Sequence, residues 1–139
     1  MSWQSYVDNL MADGSCQDSV IVRYTDAKDV WAASVGGTFA SIMPQEIDVI
    51  VGRDREGFFT TGMTLGSKKC SVIRDSLNIE GDWTMDIRTN SQGGEQTYNV
   101  SIGKAGKALV LAMEKEGVPW RRLKNKSYQM KEAYEGQLH

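Results

Sequence analysis

The sequence predicts a single α+β domain in which one antiparallel sheet of about seven strands is covered by helices. Two observations predict this class. Short runs rich in β-branched and aromatic residues follow one another through the chain, separated by turn residues such as glycine. Apolar residues have helical spacing near both ends and after Pro44. Because the 139 residues contain no repeat, linker or low-complexity tract, residues 1–139 are expected to form one domain.

The N-terminal segment predicts an amphipathic helix followed by a hairpin. Ser2 can cap the helix, which is expected to end near Gly14. Its apolar residues recur at steps of three and four, namely Trp3, Tyr6, Val7, Leu10 and Met11. Residues 20–24 and 30–33 are β-rich and flank a turn-forming stretch, which predicts two paired strands.

The rest of the chain predicts a short helix, a series of strands and a final helix. Pro44 has the position of the first residue of a helix that ends at Val51, before Gly52. Five strands are predicted at residues 58–63, 69–73, 83–89, 97–102 and 108–113. Their short connections make them antiparallel neighbours. Helical spacing returns over residues 119–136, which predicts a C-terminal helix.

Composition indicates where the chain is expected to act. The longest apolar run, residues 108–113, is far shorter than the roughly 20 residues that span a bilayer, and the N-terminus lacks a secretory signal pattern. We expect no membrane insertion and a cytoplasmic location. Cys16 and Cys70 are too far apart in sequence for a metal-ligand pair, and nothing in the sequence suggests an oxidising compartment that would join them in a disulfide. Both are therefore expected to be reduced thiols. Nucleic acid is not among the expected partners.

Catalytic chemistry is not expected. A nucleophilic triad or a zinc site would normally need histidine, and the sole histidine is His139 at the terminus. The chain has no phosphate-binding loop, and the glycines at 93 and 94 lack the strand-to-helix context of a dinucleotide site. We therefore predict no catalytic residues, no metal and no cofactor, and a protein that acts by binding other proteins.

Three aromatic residues form the first candidate binding feature. A short helix needs only a narrow apolar stripe, and Trp3 and Tyr6 are aromatic residues beyond those that this stripe requires. Trp31 lies on a predicted strand beside small residues. Aromatic rings of this kind suit recognition of an extended proline-rich peptide. Packing of the same rings into the core is an equal alternative.

A polar sheet face is the second candidate feature. Strict alternation over the strands at 83–89 and 97–102 places apolar residues on one face and polar residues on the other. The polar face would carry Arg88, Asn90, Thr97 and Asn99. It is either a partner-binding ridge or a plain solvated surface, which is common for antiparallel sheets.

Several longer stretches together identify a family. The strongest is KCSVIRDSL at residues 69–77, followed by TMDIRT at residues 84–89. Others are WQSYVDNL at 3–10, VWAA at 30–33, GRDR at 52–55, GFF at 57–59, LG at 65–66 and GG at 93–94. In these stretches, and essentially from end to end, the chain resembles profilins of the vertebrate type. The resemblance implies N- and C-terminal helices on one face of the central sheet and smaller helices on the other.

The resemblance also implies three binding activities. These are binding of monomeric actin, of proline-rich segments in actin regulators such as formins, and of phosphoinositide headgroups. It implies regulation of actin polymerisation and of nucleotide exchange on actin, as part of the cytoskeleton.

Site residues follow from the resemblance by position. Proline-rich ligands would contact Trp3, Tyr6 and Trp31, with Tyr134 and His139 as further candidates. Actin would contact Phe59, Lys69, Ser71, Val72, Arg74, Arg88, Thr97, Asn99, Val118, Arg121 and Gln129. Phosphoinositide headgroups would contact Lys69 and Arg88. Positive charge toward an acidic partner would come from Lys69, Arg74 and Arg88.

The chain departs from the usual vertebrate profilin pattern in two places. Profilins usually have histidine-glycine-glycine where this chain has Pro119, Trp120 and Arg121, at the edge of the expected actin surface. They usually have histidine and a terminal tyrosine where it has Ala133 and His139. We therefore expect weakened recognition of proline-rich ligands. One alternative stays open, a profilin-fold adaptor for proline-rich ligands or phosphoinositides with weak or no actin binding.

Overall fold

Seven β-strands and three α-helices form in the residues that the computed structural model describes, which are 3–114 without 13, 15, 26, 27, 35, 67, 92 and 95. The helices are α1 (Trp3–Met11), α2 (Pro44–Val51) and α3 (Gly57–Thr61), with a short 3-10 helix at Phe39–Ser41. The strands are β1 (Cys16–Arg23), β2 (Val30–Ala33), β3 (Met63–Leu65), β4 (Lys68–Ser76), β5 (Thr84–Thr89), β6 (Asn99–Ala105) and β7 (Ala108–Glu114). The predicted C-terminal helix lies outside the described residues, as do Ser2, Val118, Arg121, Gln129, Tyr134 and His139.

The strands form one antiparallel sheet in the order β2-β1-β7-β6-β5-β4-β3. β1 and β2 pair as the predicted hairpin, and β3 to β7 follow one another as antiparallel neighbours. β1 also pairs with β7, which joins the hairpin to the end of this meander. The predicted α+β class with a seven-stranded antiparallel sheet is confirmed.

The predicted strand at residues 58–63 is wrong, because most of this segment belongs to α3. Asp54 accepts hydrogen bonds from the backbone N–H groups of Glu56 and Gly57, at 3.1 and 2.9 Å, and so provides a partner for the first N–H of α3, which has none within the helix. Gly62 ends the helix with φ at +73°, a conformation that glycine adopts without steric cost. These features at the two ends of α3 therefore outweigh the β propensity of residues 58–61. β3 begins only at Met63.

The main hydrophobic core lies between one face of the sheet and the helices α2 and α3. Ile47 and Ile50 of α2 and Phe58 of α3 are buried there in one cluster with Leu109 and Leu111 of β7. Removing each such side chain from water contributes about 1.5–3 kcal/mol, which is enough to hold short helices on the sheet.

Helix α1 covers the opposite face of the sheet. Ala112 follows Leu111 on β7, so its side chain points away from the main core, and it packs with Cys16 and with Met11 of α1. The Nε2 atom of Gln4 donates to the carbonyl of Ala33 at 3.0 Å, which ties α1 to β2. The N-terminal helix and the smaller helices thus lie on different faces, as the resemblance implies.

Both cysteines are buried and neither forms a disulfide bond. Burial raises the pKa of the Cys70 thiol to about 12. Because the thiolate is the reactive form, Cys70 is a packing residue at neutral pH.

An ion pair joins the segment before α3 to strand β4. The Nε and Nη2 atoms of Arg55 donate to the two carboxylate oxygens of Asp75, at 2.9 and 2.7 Å. Burial alone would raise the pKa of Asp75, but the hydrogen bonds from Arg55 and from the N–H of Leu77 outweigh it and lower this pKa. The pair therefore stabilises the fold above the ordinary pKa of aspartate, and this stability is lost as the pH falls through the lowered pKa.

We expect Asp75→Asn to lower the free energy of unfolding at neutral pH by about 2 kcal/mol, because hydrogen bonds to a charged group are lost. The difference from the unchanged chain should shrink in acid, where the wild-type carboxylate is also uncharged. Urea unfolding at a series of pH values measures both effects. The matched control is Asp29→Asn, which disturbs the more exposed Arg23–Asp29 pair and should cost less than about 1 kcal/mol. A cost of Asp75→Asn that stays constant into strong acid would contradict this account.

Candidate protein-binding surfaces

A polar row crosses the middle of the sheet. The register pairs Ser71 of β4 with Arg88 of β5, and Arg88 with Asn99 of β6. Arg88 donates from Nε to the hydroxyl of Thr97 at 3.0 Å and from Nη1 to the side-chain carbonyl of Asn99. Ser71 donates to the side-chain carbonyl of Asn90 at 2.7 Å. The fold thus brings these predicted residues together, and their hydrogen bonds fix the direction of the Arg88 guanidinium.

Glu114, at the end of β7, supports this row, although no sequence pattern indicates it. Its Oε1 atom accepts a hydrogen bond from the backbone N–H of Asn99 at 2.7 Å, and the residue is only 4% exposed. Burial raises the pKa of Glu114, against the opposing effects of the Asn99 hydrogen bond and the nearby Arg88 charge. Only the pairing of β6 with β7 places Glu114 beside Asn99, so local sequence could not have revealed it.

A β-bulge in β4 decides which of its side chains reach the surface. The register shifts between Val72 and Arg74, and Arg74 pairs with Asp86. Val72 points into the main core and is only 7% exposed. Ordinary alternation turns Val72 away from Ser71 and toward this core, and the bulge then returns Arg74 to the face of Ser71. Contact of Val72 with a partner stays a prediction. Ile73, within the bulge, is 49% exposed and supplies an apolar side chain at the surface that the sequence prediction missed.

Arg74 faces outward, but its charge is paired within the chain. Its guanidinium donates to Asp86 at 2.9 Å, to Asp82 at 3.1 Å and to the hydroxyl of Thr84 at 2.7 Å. The hydrogen bond to Asp86 is the main cause of a raised pKa, so the cation persists at every physiological pH. With two carboxylates around one guanidinium, this end of the face has a net negative charge. The positive charge expected from Arg74 is therefore neutralised by its own neighbours.

Phe59 and Lys69 extend the candidate surface beyond the row. Phe59 is 51% exposed on α3, and α3 packs against β4. Its ring centre lies 5.3 Å from that of the buried Phe58. Lys69 is exposed on β4, and its backbone carbonyl accepts a hydrogen bond from the N–H of Asn90 at 2.9 Å. Exposed aromatic rings beside fixed polar groups are typical of protein interfaces.

A cleft of about 780 Å³ adjoins this surface between α2, α3 and the β3–β4 edge of the sheet. Its apolar walls include Val49, Phe58 and Met63, and Lys69 and Asn90 lie at its border. Lys69 thus both lines the cleft and lies on β4, the strand that carries Ser71.

The second candidate surface lies near the opposite edge of the sheet. α1 carries Trp3 and Tyr6 and packs against β2, which carries Trp31. Trp31 is partly exposed rather than part of the main core, and the Arg23 guanidinium lies 6.0 Å from its ring centre. The fold thus brings together the two elements that carry the predicted aromatic residues.

The two surfaces lie on different parts of the sheet. In the sheet order β2 is three strand positions from β6, the nearest strand of the polar row, and five from β4. At about 4.8 Å per strand, these separations correspond to roughly 14 Å and roughly 24 Å along the sheet. We therefore expect each surface to bind its own partner.

The described part of the chain offers no arrangement of three or more histidine, cysteine, aspartate or glutamate side chains suited to a metal ion. Within the same ranges, no helix has the length and apolar character that crossing a bilayer requires.

Similarity to known proteins agrees with this geometry. The family model described as Profilin matches residues 1–134. Profilin-2 of Homo sapiens is 68% identical over 128 residues, which are 92% of this chain and 91% of the relative. The solved structure of mouse profilin IIa in complex with a double repeat from the FH1 domain of mDia1 is 62% identical, with a TM-score of 0.94 and coverage of 100% of both chains. The crystal structure of human profilin II is 67% identical, with a TM-score of 0.91 and coverage of 94% of this chain and 96% of the other. The chain belongs to the profilin family.

Proposed function

We propose that this chain binds monomeric actin and proline-rich segments of actin regulators, and that it thereby regulates actin polymerisation and nucleotide exchange. The observation that carries the proposal is the polar row of Ser71, Arg88 and Asn99, whose hydrogen bonds hold it in one arrangement. A preformed row loses little side-chain entropy when a partner binds. The chain acts by binding alone and performs no catalytic step.

Actin would bind the face of β4, β5 and β6 together with α3. We assign to this face Phe59, Lys69, Ser71, Ile73, Arg74, Arg88, Thr97 and Asn99, with Val118, Arg121 and Gln129 as further contacts. Phe59 and Ile73 offer apolar surface around the polar row, being 51% and 49% exposed. Lys69 and Arg88 offer positive charge to acidic groups of actin. At the other end of this face, around Arg74, the carboxylates of Asp82 and Asp86 can accept hydrogen bonds from basic groups of actin.

Proline-rich segments would bind where α1 meets β2. Mouse profilin IIa, 62% identical to this chain, has been solved in complex with a formin-type FH1 double repeat. Trp31 is partly exposed on the matching fold, and Trp3 and Tyr6 lie on the adjoining helix. Aromatic rings held by a rigid scaffold recognise the preformed polyproline helix, with Tyr134 and His139 as further contacts.

Phosphoinositide headgroups would bind through Lys69 and Arg88. These two cations lie on neighbouring strands of the face assigned to actin. A headgroup and actin would therefore compete for this chain. We place the protein in the cytoplasm, associated with the cytoskeleton.

Assembly of pyrene-labelled actin tests the proposal. Saturating amounts of the protein should slow spontaneous assembly, because bound monomers are withheld from nucleation. Sedimentation should show a one-to-one complex with monomeric actin. If the protein neither changes assembly nor forms a complex, the actin half of the proposal fails. Peptide binding without actin binding would favour the adaptor alternative, and replacing Pro119, Trp120 and Arg121 by histidine-glycine-glycine should then restore actin binding.

A further inference from the structure

Arg55 connects three segments around α3 through a single side chain. Its Nε and Nη2 atoms hold both oxygens of Asp75 on β4, at 2.9 and 2.7 Å. Its Nη1 atom donates to the backbone carbonyl of Gly52 at 3.1 Å and to that of Ile50. These carbonyls belong to the C-terminal end of α2, where helix carbonyls lack partners of their own. Arg55 therefore fixes α2 to β4 from the segment that leads into α3.

The same guanidinium also contacts α3. It lies over the ring of Phe58, 4.9 Å from the ring centre. Phe58 is buried, and its ring centre is 5.3 Å from that of Phe59, which is 51% exposed. Arg55 thus contacts the buried Phe58 ring, which in turn lies beside the exposed Phe59 ring.

Helix α3 depends on such contacts because it has only five residues. Isolated helices shorter than about 12 residues are marginal in water, so tertiary contacts must hold α3 in place. Asp54 caps its start, and Gly62 abuts the backbone of Cys70 at its end. On the side where Phe58 packs into the main core, the Arg55 guanidinium adds a further contact, over the ring of Phe58.

We propose that Arg55 is a positioning residue for the actin-binding surface, which sets the orientation of Phe59 without touching the partner. The proposal rests on the proposed function, because it assumes that Phe59 contacts actin. A lysine at this position keeps the charge but cannot hold two carboxylate oxygens and two carbonyls at once, because it lacks the planar fork of arginine. Arg55→Lys is therefore the informative change.

The experiment is a double-mutant cycle between Arg55→Lys and Phe59→Ala, with affinity for monomeric actin as the readout. We expect Arg55→Lys alone to weaken actin binding about 10-fold, which is within the coupling seen between contacting residues. In the Phe59→Ala background the same change should weaken binding less than about 2-fold, because no ring remains to be oriented. Affinity for a proline decamer should stay within about 2-fold in all variants, since that surface lies at the opposite edge of the sheet.

Two controls separate positioning from general destabilisation. Arg23→Lys disturbs another arginine–aspartate pair, far from α3, and should leave actin affinity unchanged. Asp75→Asn removes the charge of the carboxylate that Arg55 holds, and it should weaken actin binding as Arg55→Lys does. In the Phe59→Ala background, Asp75→Asn should likewise have little effect on actin binding. All variants are compared under conditions where urea unfolding shows them to be fully folded.

The outcomes distinguish this proposal from the proposed function. The positioning role is overturned if Arg55→Lys weakens actin binding equally with and without Phe59→Ala. It is also overturned if Arg55→Lys leaves actin affinity unchanged, or if it weakens proline-peptide binding to the same extent. If the unchanged chain does not bind actin, the proposed function itself fails and the positioning role fails with it.

Discussion

Trp31→Ala is expected to weaken binding of a proline decamer at least about 30-fold, the effect of removing a central aromatic anchor from an interface. Trp31 is partly exposed on β2, beside the helix that carries Trp3 and Tyr6. Without this ring, the surface where α1 meets β2 loses one of its aromatic contacts to the ligand. The proline-rich ligand has few polar groups whose hydrogen bonds could replace that contact. Titration of the decamer, followed by tryptophan fluorescence, measures the affinity. Trp3→Ala should have a similar effect and should also remove most of the fluorescence change.

The matched control for this prediction is Trp83→Phe. Trp83 precedes β5 and contacts Lys104, whose ammonium lies 5.6 Å from its ring centre. This change also removes a tryptophan but lies away from α1 and β2. It should leave the affinity for the decamer unchanged. If Trp31→Ala and Trp83→Phe have equal affinities for the decamer, proline-rich ligands do not bind where α1 meets β2.

Arg88→Ala is expected to weaken actin binding by about 30-fold or more, because a charge at a partly buried position leaves the interface and its partner on actin is left unpaired. Within the chain, the change also leaves Thr97 and Asn99 without the donor that orients them. The rest of the row keeps its backbone position, because the register of β5 and β6 does not depend on this side chain.

Lys104→Ala is the control for Arg88→Ala, since it also removes one positive charge from the same sheet. Lys104 contacts the rings of Tyr24 and Trp83 rather than the polar row. Sedimentation with monomeric actin at two salt concentrations compares the variants. A similar loss in both would mean that net charge, and not the position of Arg88, determines binding.

Local sequence was sufficient for the parts of the fold in which burial repeats regularly. The strand at 84–89 alternates between the core and the polar face, and the helix at 44–51 has proline at its first position. Both were predicted because each periodicity reports directly on which side chains are buried. The partners of Arg88 on the polar face follow from the same alternation.

Local sequence failed where a particular hydrogen bond, a β-bulge or the pairing of strands decides the structure. The Phe-Phe-Thr-Thr segment has strand propensity, yet Asp54 and Gly62 make it a helix. Alternation alone would place Val72 and Arg74 on one face, and the bulge between them separates the two. Glu114 reaches Asn99 only because β7 pairs with β6. Each of these features depends on a hydrogen bond or a register that no short pattern records.

One domain is expected to carry two independent binding surfaces, one for actin and one for proline-rich segments. Titration of a proline decamer into the chain, with and without saturating monomeric actin, measures whether the two surfaces act independently. We expect affinities for the decamer that agree within about 2-fold, since roughly 14 Å of sheet separates β2 from β6, the nearest strand of the polar row, and roughly 24 Å separates it from β4. Displacement of the decamer by actin, or failure of actin to bind at all, would contradict this expectation.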